Sequence, residues 1–311
     1  MENEKANNIK EIAQGLYRLK VTFNVTESIE RFVYLYIITG RQTHLIDTGT
    51  SGADKQIAEF LTASGKSIFD VRNILITHSH PDHIGSLRKI KDVSGSLVYA
   101  SEPEKLWIED IDTQFEERPI PNFYKLLNES TEIDVIVKDK DVLPLEKEVN
   151  IQVLDTKGHS KGHVSYYWTE QKMLFTGDSI PVEGQIPIYV SVKDSIESLK
   201  KMLELENVDY FLSAWDDVYD SETGKKHIQK AIDNLTELDT TVKTITDNYL
   251  VDRKLDESKA EESMDEFERQ MLTDYELNEI FERVCEALKM ENMLDNPLFR
   301  NSIYSNIKDY L

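Results

Sequence analysis

Apolar residues in the first part of the chain fall into short runs of strand length. The segment after Gly15 alternates between apolar and polar residues, and residues 31–39 are rich in aromatic and β-branched side chains. The dipeptide Gly40-Arg41 separates that run from residues 42–47. These features predict a first strand followed by a β-hairpin. Further strands are predicted at residues 71–77, 135–137, 151–154, 163–167, 173–176 and 210–212.

Helical spacing occurs between these strands. Ile57, Phe60 and Leu61 have it within residues 52–64, and residues 195–206 form a second amphipathic segment. Residues 101–135 instead mix tryptophan, prolines and acids around a helical piece, which predicts an insertion that resembles a lid. Its aromatic residues are candidates either for ordinary packing or for lining a substrate entrance: Trp107, Phe115, Phe123 and Tyr124.

The strand pattern ends near residue 235, and the rest of the chain has helical character. Residues 252–268 are dense in charge, which predicts a solvated helix or linker. Thr273 and Glu276 have the spacing of a capping box, and an apolar stripe follows, with a last helix at residues 302–310. We therefore predict an α/β domain over residues 1–238 and a C-terminal helical extension over residues 239–311. The stripe packs on the body or, less simply, on a second copy in a homodimer.

The overall charge of the chain bears on its partners. Hydrophobic residues make up 40% of the sequence, enough for a substantial core, and the formal net charge is −22. Such a charge repels phosphate backbones, so we expect no nucleic-acid partner and no nuclease activity. The argument is weaker for a local site, because bound metal ions reverse the sign there.

Cysteine content and apolar run length bear on the compartment. Cys285 is the single cysteine, so no internal disulfide is expected, which fits a reducing environment. The N-terminal residues lack the layout of a signal peptide, and no run reaches the roughly 18 apolar residues of a membrane span. We expect a cytoplasmic protein that does not span a membrane.

Three of the seven histidines lie within residues 78–83. His78 and His80 follow a predicted strand two positions apart, so an extended chain directs both to one side. Pro81 helps to fix the turn that brings in Asp82 and His83. Imidazole nitrogen and carboxylate oxygen are suitable ligands for zinc, and also for iron or manganese. The segment predicts a metal site.

Two weaker signals follow along the chain. Gly158 and Gly162 flank His159, and glycines let the backbone turn tightly beside a ligand. A glycine-rich turn between strands would give the same spacing. Asp178 ends a predicted strand, where a Gly-Asp pair taken alone is usually a turn. Of the other histidines, His163 is expected to support the site without binding metal, and His44 to be a satisfied core or edge residue.

In this order and spacing, the segments resemble the metallo-β-lactamase-like superfamily. The match runs from Asp47-Thr48-Gly49 through residues 78–85 and Gly158-His159-Ser160 to Thr176-Gly177-Asp178, within roughly residues 10–235. The resemblance implies a four-layer αββα sandwich of the α/β class, with the site at one edge between two sheets and the helical unit appended. The second histidine segment is most similar to the glyoxalase II and lactonase branches.

The resemblance also implies a ligand set. A first ion would be bound by His78, His80 and His159. A second would be bound by Asp82 and His83, with Asp178 bridging the two ions. Asp47 would lie beneath the site as a structural carboxylate. Two zinc ions are implied as cofactors, with iron or manganese as alternatives.

One position departs from the family pattern. The family usually supplies a last histidine after the strand that follows the final helix of the body, and here Trp215 aligns with it. An indole cannot bind zinc. Three outcomes are open: Asp216 or Asp217 supplies an oxygen ligand, the second position is weak or empty, or His227 reaches in. Asp216 is the first candidate, although an acidic loop is also ordinary on so acidic a chain.

For activity, the resemblance implies a hydrolase in which two metal ions make hydroxide available at neutral pH and stabilise the developing oxyanion. Asp82 would bind metal and transfer a proton as the catalytic carboxylate. A thioester, lactone or related ester of a small molecule is the expected substrate, in preference to a β-lactam or phosphodiester.

Two alternatives remain. His78, His159 and Asp178 match the triad of the persulfide dioxygenase branch, which binds a single iron and has no need of the last histidine. The other alternative is a binding or regulatory protein whose metal site is degenerate, which the loss of one ligand suggests.

Overall fold

The computed structural model describes residues 8–26, 29–257 and 272–311, with the side chains of residues 254–257 excepted. Its strands are β1 (Ile9–Ala13), β2 (Leu16–Asn24), β3 (Glu30–Thr39), β4 (Thr43–Ile46), β5 (Val71–Leu75), β6 (Leu97–Ser101), β7 (Val135–Val137), β8 (Val142–Glu146), β9 (Val149–Asp155), β10 (Val164–Trp168), β11 (Met173–Gly177), β12 (Tyr210–Ser213) and β13 (Val218–Asp220). Its helices are α1 (Ala53–Ala63), α2 (Pro81–Ile84), α3 (Leu87–Ser94), α4 (Lys105–Glu109), α5 (Ile111–Glu117), α6 (Phe123–Leu126), α7 (Val192–Glu204), α8 (Ser221–Glu257), α9 (Asp274–Ala287) and α10 (Pro297–Lys308).

The strands form two mixed sheets. The first has seven strands in chain order, β1 to β7. Its first four strands pair antiparallel, including the predicted hairpin of β3 and β4, and β4 to β7 pair parallel. The second has six strands in the order β13-β12-β11-β10-β9-β8, of which β11 and β12 are parallel. The parallel strands follow helical crossovers, as parallel pairing requires.

The core confirms the predicted four layers. Inward-facing residues of both sheets form one buried cluster, which includes Tyr36 and Leu75 from the first sheet and Tyr166 and Phe175 from the second. A second cluster lies between the outer face of the first sheet and helices α1 to α6. A third lies between the second sheet and helices α7 to α10. The order is therefore helices, sheet, sheet, helices.

Tyrosine hydroxyls join the two sheets near one edge. Tyr36 donates a hydrogen bond to the carbonyl of Ser213 at 2.6 Å, and Tyr166 donates to that of Ile76 at 2.8 Å. Ile76 lies two positions before His78, and Ser213 lies two positions before Trp215, so both hydrogen bonds are next to loops of the predicted site. Buried hydrogen bonds of this kind fix the separation of the sheets where the site lies.

The C-terminal helices cover the second sheet. The capping box of Thr273 and Glu276 is present. The predicted apolar stripe of α9 is buried in the third cluster, together with residues of the second sheet and of the other helices that cover it. The last helix begins at Pro297, earlier than predicted, with Asn296 as its cap. The predicted domain boundary at 238/239 falls inside α8, so the extension continues a helix of the body.

The charged run at residues 252–268 is helical in the part that the structure describes. Its first residues belong to α8, and residues 258–271 lie outside the described residues.

Within the described chain, none of the helices is both long and apolar enough to cross a membrane.

His44 is a core histidine, as predicted. It is fully buried in β4, and Asn73 Nδ2 donates a hydrogen bond to His44 Nδ1 at 2.9 Å, which requires the neutral ring. Burial, followed by the positive charge of Lys66, lowers the pKa of His44 to about 4. The unfolded chain, with a histidine pKa of about 6.5, therefore binds this proton more readily than the folded chain. The stability that neutral His44 contributes is complete above about pH 6.5 and is lost as the pH falls towards 4.

We expect the variant His44→Gln to lose less stability on acidification than the wild type. Between pH 6.5 and 4.5 the wild type should lose about 2–3 kcal/mol more of its free energy of unfolding, because protonation of His44 favours the unfolded chain. Urea unfolding at a series of pH values measures this difference. Parallel pH profiles for the two proteins would contradict it.

Candidate metal centre

Three imidazole nitrogens meet where the loop after β5 faces the loop between β9 and β10. His78 Nε2 and His159 Nε2 lie 2.9 Å and 3.0 Å from His80 Nδ1. Asp178 Oδ2, at the end of β11, lies 3.4 Å from His159 Nε2 and 3.9 Å from His78 Nε2. We call these four residues the first group; each offers a ligand atom within 4.8 Å of the others.

The neighbours of two of these histidines fix the positions of their protons. His159 Nδ1 lies 2.9 Å from the carbonyl oxygen of Ile188, which only accepts, so Nδ1 carries the proton. His78 Nδ1 lies 3.1 Å from Thr77 Oγ1, whose own proton is directed to Asp47 Oδ2 at 2.8 Å. Thr77 therefore accepts from His78. Both Nε2 atoms are left with lone pairs that point at one spot, the arrangement of metal ligands.

A second group of ligand atoms lies on the other side of Asp178. His83 Nε2 is 3.2 Å from Asp178 Oδ1 and 3.5 Å from Asp82 Oδ2. Asp82, His83 and Asp178 form this second group. The two oxygens of Asp178 thus face different groups, which is the geometry of a bridging carboxylate.

The backbone around Asp178 is tightly constrained. Gly177 has φ +50°, and a Cβ there would lie 2.7 Å from His163 Nε2. The amide of Asp178 donates to His163 Nε2 at 3.1 Å, while His163 Nδ1 is bonded to Thr156 Oγ1 at 2.9 Å. His163 therefore holds Asp178 by its backbone, which agrees with a supporting role.

Asp47 lies beneath the site, as the resemblance implied. It adopts φ 61°, and its carboxylate accepts hydrogen bonds from the amide and hydroxyl of Thr77 and from His83 Nδ1, each at 2.8 Å. The bond to His83 fixes the Nδ1 proton, so that Nε2 faces the second group. One buried carboxylate thereby orients residues of both groups.

The electrostatics of the two groups differ. Burial lowers the pKa of His78 well below its ordinary value, and the neighbouring imidazoles lower it further. Burial alone would also lower the pKa of His83, but Asp178, Asp82 and Asp47 together raise it well above its ordinary value. Since the pKa values of His80 and His159 are lowered as well, the three histidines of the first group are neutral and can donate lone pairs. In the second group the carboxylates favour a cation, which in the absence of metal is the imidazolium itself.

Glu104 links the two histidine loops, and sequence reasoning missed it. It is 2% exposed and accepts hydrogen bonds from the amide of Ser79, from Ser160 Oγ at 2.6 Å and from the amide of Gly162 at 2.6 Å, besides a short bond from the Ser79 hydroxyl. Ser79 lies between His78 and His80, and Ser160 follows His159. A single carboxylate therefore fixes how the two loops face each other.

Trp215 lies at the site but not as a ligand. Its Nε1–H donates to Asp178 Oδ2 at 2.9 Å, and its ring packs near Phe23 and Phe32 with centroids 6.2 Å and 6.1 Å away. The indole, which the resemblance aligns with the family's last histidine, thus holds the Asp178 carboxylate by a hydrogen bond.

The residues suggested as replacements for that histidine are directed elsewhere. Asp216 accepts from the amide of Asp217 at 2.8 Å and its carbonyl accepts from Arg18 at 3.2 Å, while the Asp217 carboxylate pairs with Arg18 at 3.5 Å. His227 stacks on Tyr219 with centroids 4.2 Å apart. Among the described residues, neither group of ligand atoms includes Asp216, Asp217 or His227.

Arg118 is a second residue that the sequence did not single out. It follows α5, whose Gln114 donates to the carbonyl of Ser79 at 2.8 Å. Burial lowers the pKa of Arg118, and the carboxylates of Asp82 and Asp178 oppose that shift through their negative charge. In the described part of the chain no carboxylate forms an ion pair with it.

The residues present fit metal ions. Nitrogens bound to one tetrahedral zinc at about 2.0–2.1 Å lie about 3.3 Å apart, close to the separations in the first group. Three buried polar atoms of these ligand residues have no hydrogen-bond partner in the described structure: His80 Nε2, His83 Nε2 and Asp178 Oδ1. The last two face each other across the second group, where a cation would satisfy both.

Comparisons with known proteins agree with this geometry. A model of the metallo-beta-lactamase superfamily matches residues 29–214. A hydroxyacylglutathione hydrolase of Ectopseudomonas mendocina is 26% identical over 144 residues, which are 46% of this chain and 44% of that protein. A probable metallo-hydrolase of Bacillus subtilis is 28% identical over 176 residues, 55% of this chain and 71% of that protein.

Solved structures show the same fold. A metallo-beta-lactamase family protein of Thermus thermophilus superposes with a TM-score of 0.63 at 20% identity, over 76% of this chain and 84% of that one. The matched stretch spans less than half of the length of the hydroxyacylglutathione hydrolase. Because the family model covers more than half of the sequence, this chain belongs to the metallo-beta-lactamase superfamily.

Proposed function

We propose that the protein is a metal-dependent hydrolase with two adjacent metal positions. The observation that carries the proposal is the placement of Asp178 between the two groups, with Oδ2 directed to the histidines of the first group and Oδ1 to His83. His78, His80 and His159 would bind the first ion, Asp82 and His83 the second, and Asp178 both. Zinc suits this set of nitrogen and oxygen ligands, and manganese is an alternative.

The bound ions would supply a water of lowered pKa and a Lewis acid for a carbonyl oxygen. The chain's own residues set the geometry around them. Asp82 is half-buried, and its Oδ2 faces His83 at 3.5 Å, so it is the carboxylate best placed to hold and pass a proton. Asp47 holds the His83 ring in place, and the Trp215 indole holds Asp178.

The proposed substrate is a small-molecule thioester, lactone or related ester. Relatives named hydroxyacylglutathione hydrolase support the thioester. The surroundings of the site support an acyl compound, because half-buried aromatic rings lie close to its ligand residues. Trp107 lies 6.5 Å from the His80 ring, and Trp215, which packs near Phe23 and Phe32, donates to Asp178.

A mononuclear iron dioxygenase is the second candidate. Trp215 favours it, because no side chain among the described residues replaces the last histidine of the second position. His80 counts against it, since its Nδ1 lies between His78 and His159 and would occupy a position that oxygen or substrate needs. A degenerate site without catalysis is the third possibility, and the complete set of remaining ligand residues counts against it.

Hydrolysis assays on a panel of thioesters and lactones test the proposal. We expect turnover that a chelator abolishes and that added zinc or manganese restores. Oxygen uptake with a persulfide substrate, dependent on iron, would instead support the dioxygenase. Metal binding without turnover of any ester would support the degenerate site.

Arg118 leads to a prediction about substrate charge. The Arg118 guanidinium interacts electrostatically with Asp82 and Asp178 and forms no ion pair with a carboxylate among the described residues, so we propose that it binds an anionic group of the substrate. A charged hydrogen bond contributes about 1.5–3 kcal/mol. We expect Arg118→Met to raise KM about tenfold or more for a carboxylate-bearing ester, with little change for a neutral ester of the same acyl group. Arg118→Lys should give a KM for the charged ester between those of the wild type and Arg118→Met. Arg88→Met, a substitution on the surface of α3, is the control. Equal effects on both esters would contradict this role.

A further inference from the structure

Residues 188–190 connect the metal centre to the rest of the molecule. The carbonyl of Ile188 accepts the Nδ1 proton of His159 at 2.9 Å. Two positions later, the amide of Val190 donates to the carbonyl of Gly158 at 2.7 Å. Gly158 has φ +130°, and a Cβ there would lie 2.3 Å from Ser195 Oγ, so the chain fits closely at this point. The segment thus holds both His159 and the residue before it.

The C-terminal helix α10 holds the same segment from the other side. The amide of Tyr189 donates to Ser302 Oγ at 3.0 Å, and Ser305 Oγ donates to the carbonyl of Val190 at 2.5 Å. Ser302 is 1% exposed and directs its own proton to the carbonyl of Leu298 at 3.2 Å, which leaves a lone pair for Tyr189. Ser302 therefore binds the peptide group between Ile188 and Tyr189, and Ser305 binds the carbonyl of the peptide group that follows Val190.

Packing and charge reinforce this contact. The Tyr189 side chain is 3% exposed and belongs to the same buried cluster as Phe299 and Ile303 of α10. At the far end of the helix, Asp309 pairs with Lys193 of α7 at 3.4 Å. The helix is thereby fixed against the start of α7, immediately after the segment.

We propose that Ser302 and Ser305 are positioning residues for the metal ligand His159, so that the C-terminal extension forms part of the support of the metal centre. The proposal rests on the proposed function insofar as His159 binds metal. The path from Ser302 is short, because the Tyr189 amide that it binds and the Ile188 carbonyl that fixes the tautomer and tilt of the ring belong to one peptide group. Ser305 binds the chain two peptide groups further on. If the Ile188 carbonyl moves, it no longer accepts the hydrogen bond from His159 Nδ1. The ring can then tilt, and its Nε2 lone pair no longer points at the spot where His78 and His80 converge.

The test uses the full chain with both serines replaced, Ser302→Ala/Ser305→Ala. Zinc affinity is measured by competition with a chelating dye, and the geometry of the site by the visible absorption spectrum of the cobalt(II) protein. We expect affinity to fall about tenfold, as for other groups that orient a metal-binding histidine, and the cobalt bands to shift. The serine-to-threonine double variant keeps both hydroxyls and should retain most of the affinity.

Thr236→Ala is the matched control, because Thr236 Oγ1 donates to the Ile232 carbonyl at 2.7 Å on α8, away from the site. If the serine substitutions only lowered stability, the metal-free serine variant would unfold more easily than the wild type, as the control would. Its cobalt spectrum would then remain that of the wild type. Wild-type affinity and spectrum in the serine variant would overturn the proposal alone. A wild-type protein that binds no zinc or cobalt would refute the proposed function, and this inference with it.

Discussion

The variant His80→Ala should bind no metal at the first position and show no measurable hydrolysis. His80 Nδ1 is the atom on which the other two histidines of the first group converge, at 2.9 Å and 3.0 Å, so its loss removes the centre of the ligand set. Groups that merely orient a ligand change metal affinity about 10–100-fold, and a direct ligand should cost more than about 100-fold. Zinc titration and a chelator-sensitive ester assay measure the two losses.

His227→Ala is the control for that experiment. His227 lies on α8 and stacks on Tyr219, outside both groups of ligand atoms, so the variant should keep wild-type metal affinity and turnover. Addition of zinc should raise the melting temperature of the wild type and of the control, because metal binds the folded state, but not that of His80→Ala. Wild-type activity in His80→Ala in the presence of a chelator would contradict the metalloenzyme account.

The variant Glu104→Gln should weaken metal binding by about tenfold or more and destabilise the fold by about 2–4 kcal/mol. The Glu104 carboxylate accepts four hydrogen bonds, from the amides of Ser79 and Gly162 and from the hydroxyls of Ser79 and Ser160. In the variant, an amide nitrogen replaces one carboxylate oxygen, and because this nitrogen is itself a donor it cannot accept the hydrogen bonds directed at it. The loops of His80 and His159 then lose their common anchor.

Comparison with another anchoring carboxylate separates these two effects. Glu109, in the same insertion, accepts from the amide of Ile133 at 3.0 Å and touches neither histidine loop. Glu109→Gln should therefore lower the free energy of unfolding without changing zinc affinity. If Glu104→Gln loses stability but keeps its zinc affinity, Glu104 supports the fold and does not position the ligands.

The sequence predicted the parts of the site whose residues are close together along the chain. His78, His80 and His83 share one loop, so their spacing alone indicated a metal site, whereas His159 between glycines was assigned through the resemblance to the family. The strand pattern predicted most of the strands, because apolar alternation is a local signal, while the two sheets and four layers were implied by the resemblance. The capping box at Thr273 was correct for the same reason.

Other features depend on contacts that are distant in sequence. Glu104 meets Ser160 across 56 positions, and a glutamate in a charged insertion has the composition of an ordinary surface residue. Trp215 could be aligned with the missing histidine, but its hydrogen bond to Asp178 depends on the ends of β11 and β12 lying side by side. The great length of α8 was not predicted, since its largely polar sequence carries little helical periodicity.

The metal content per chain, measured on protein purified without added metal and without a metal-affinity tag, decides whether two metal positions exist. We expect about two zinc or manganese ions per chain, with the second retained through Asp82, His83 and Asp178 despite the tryptophan at position 215. A single iron per chain, or no metal even after reconstitution, would contradict this expectation.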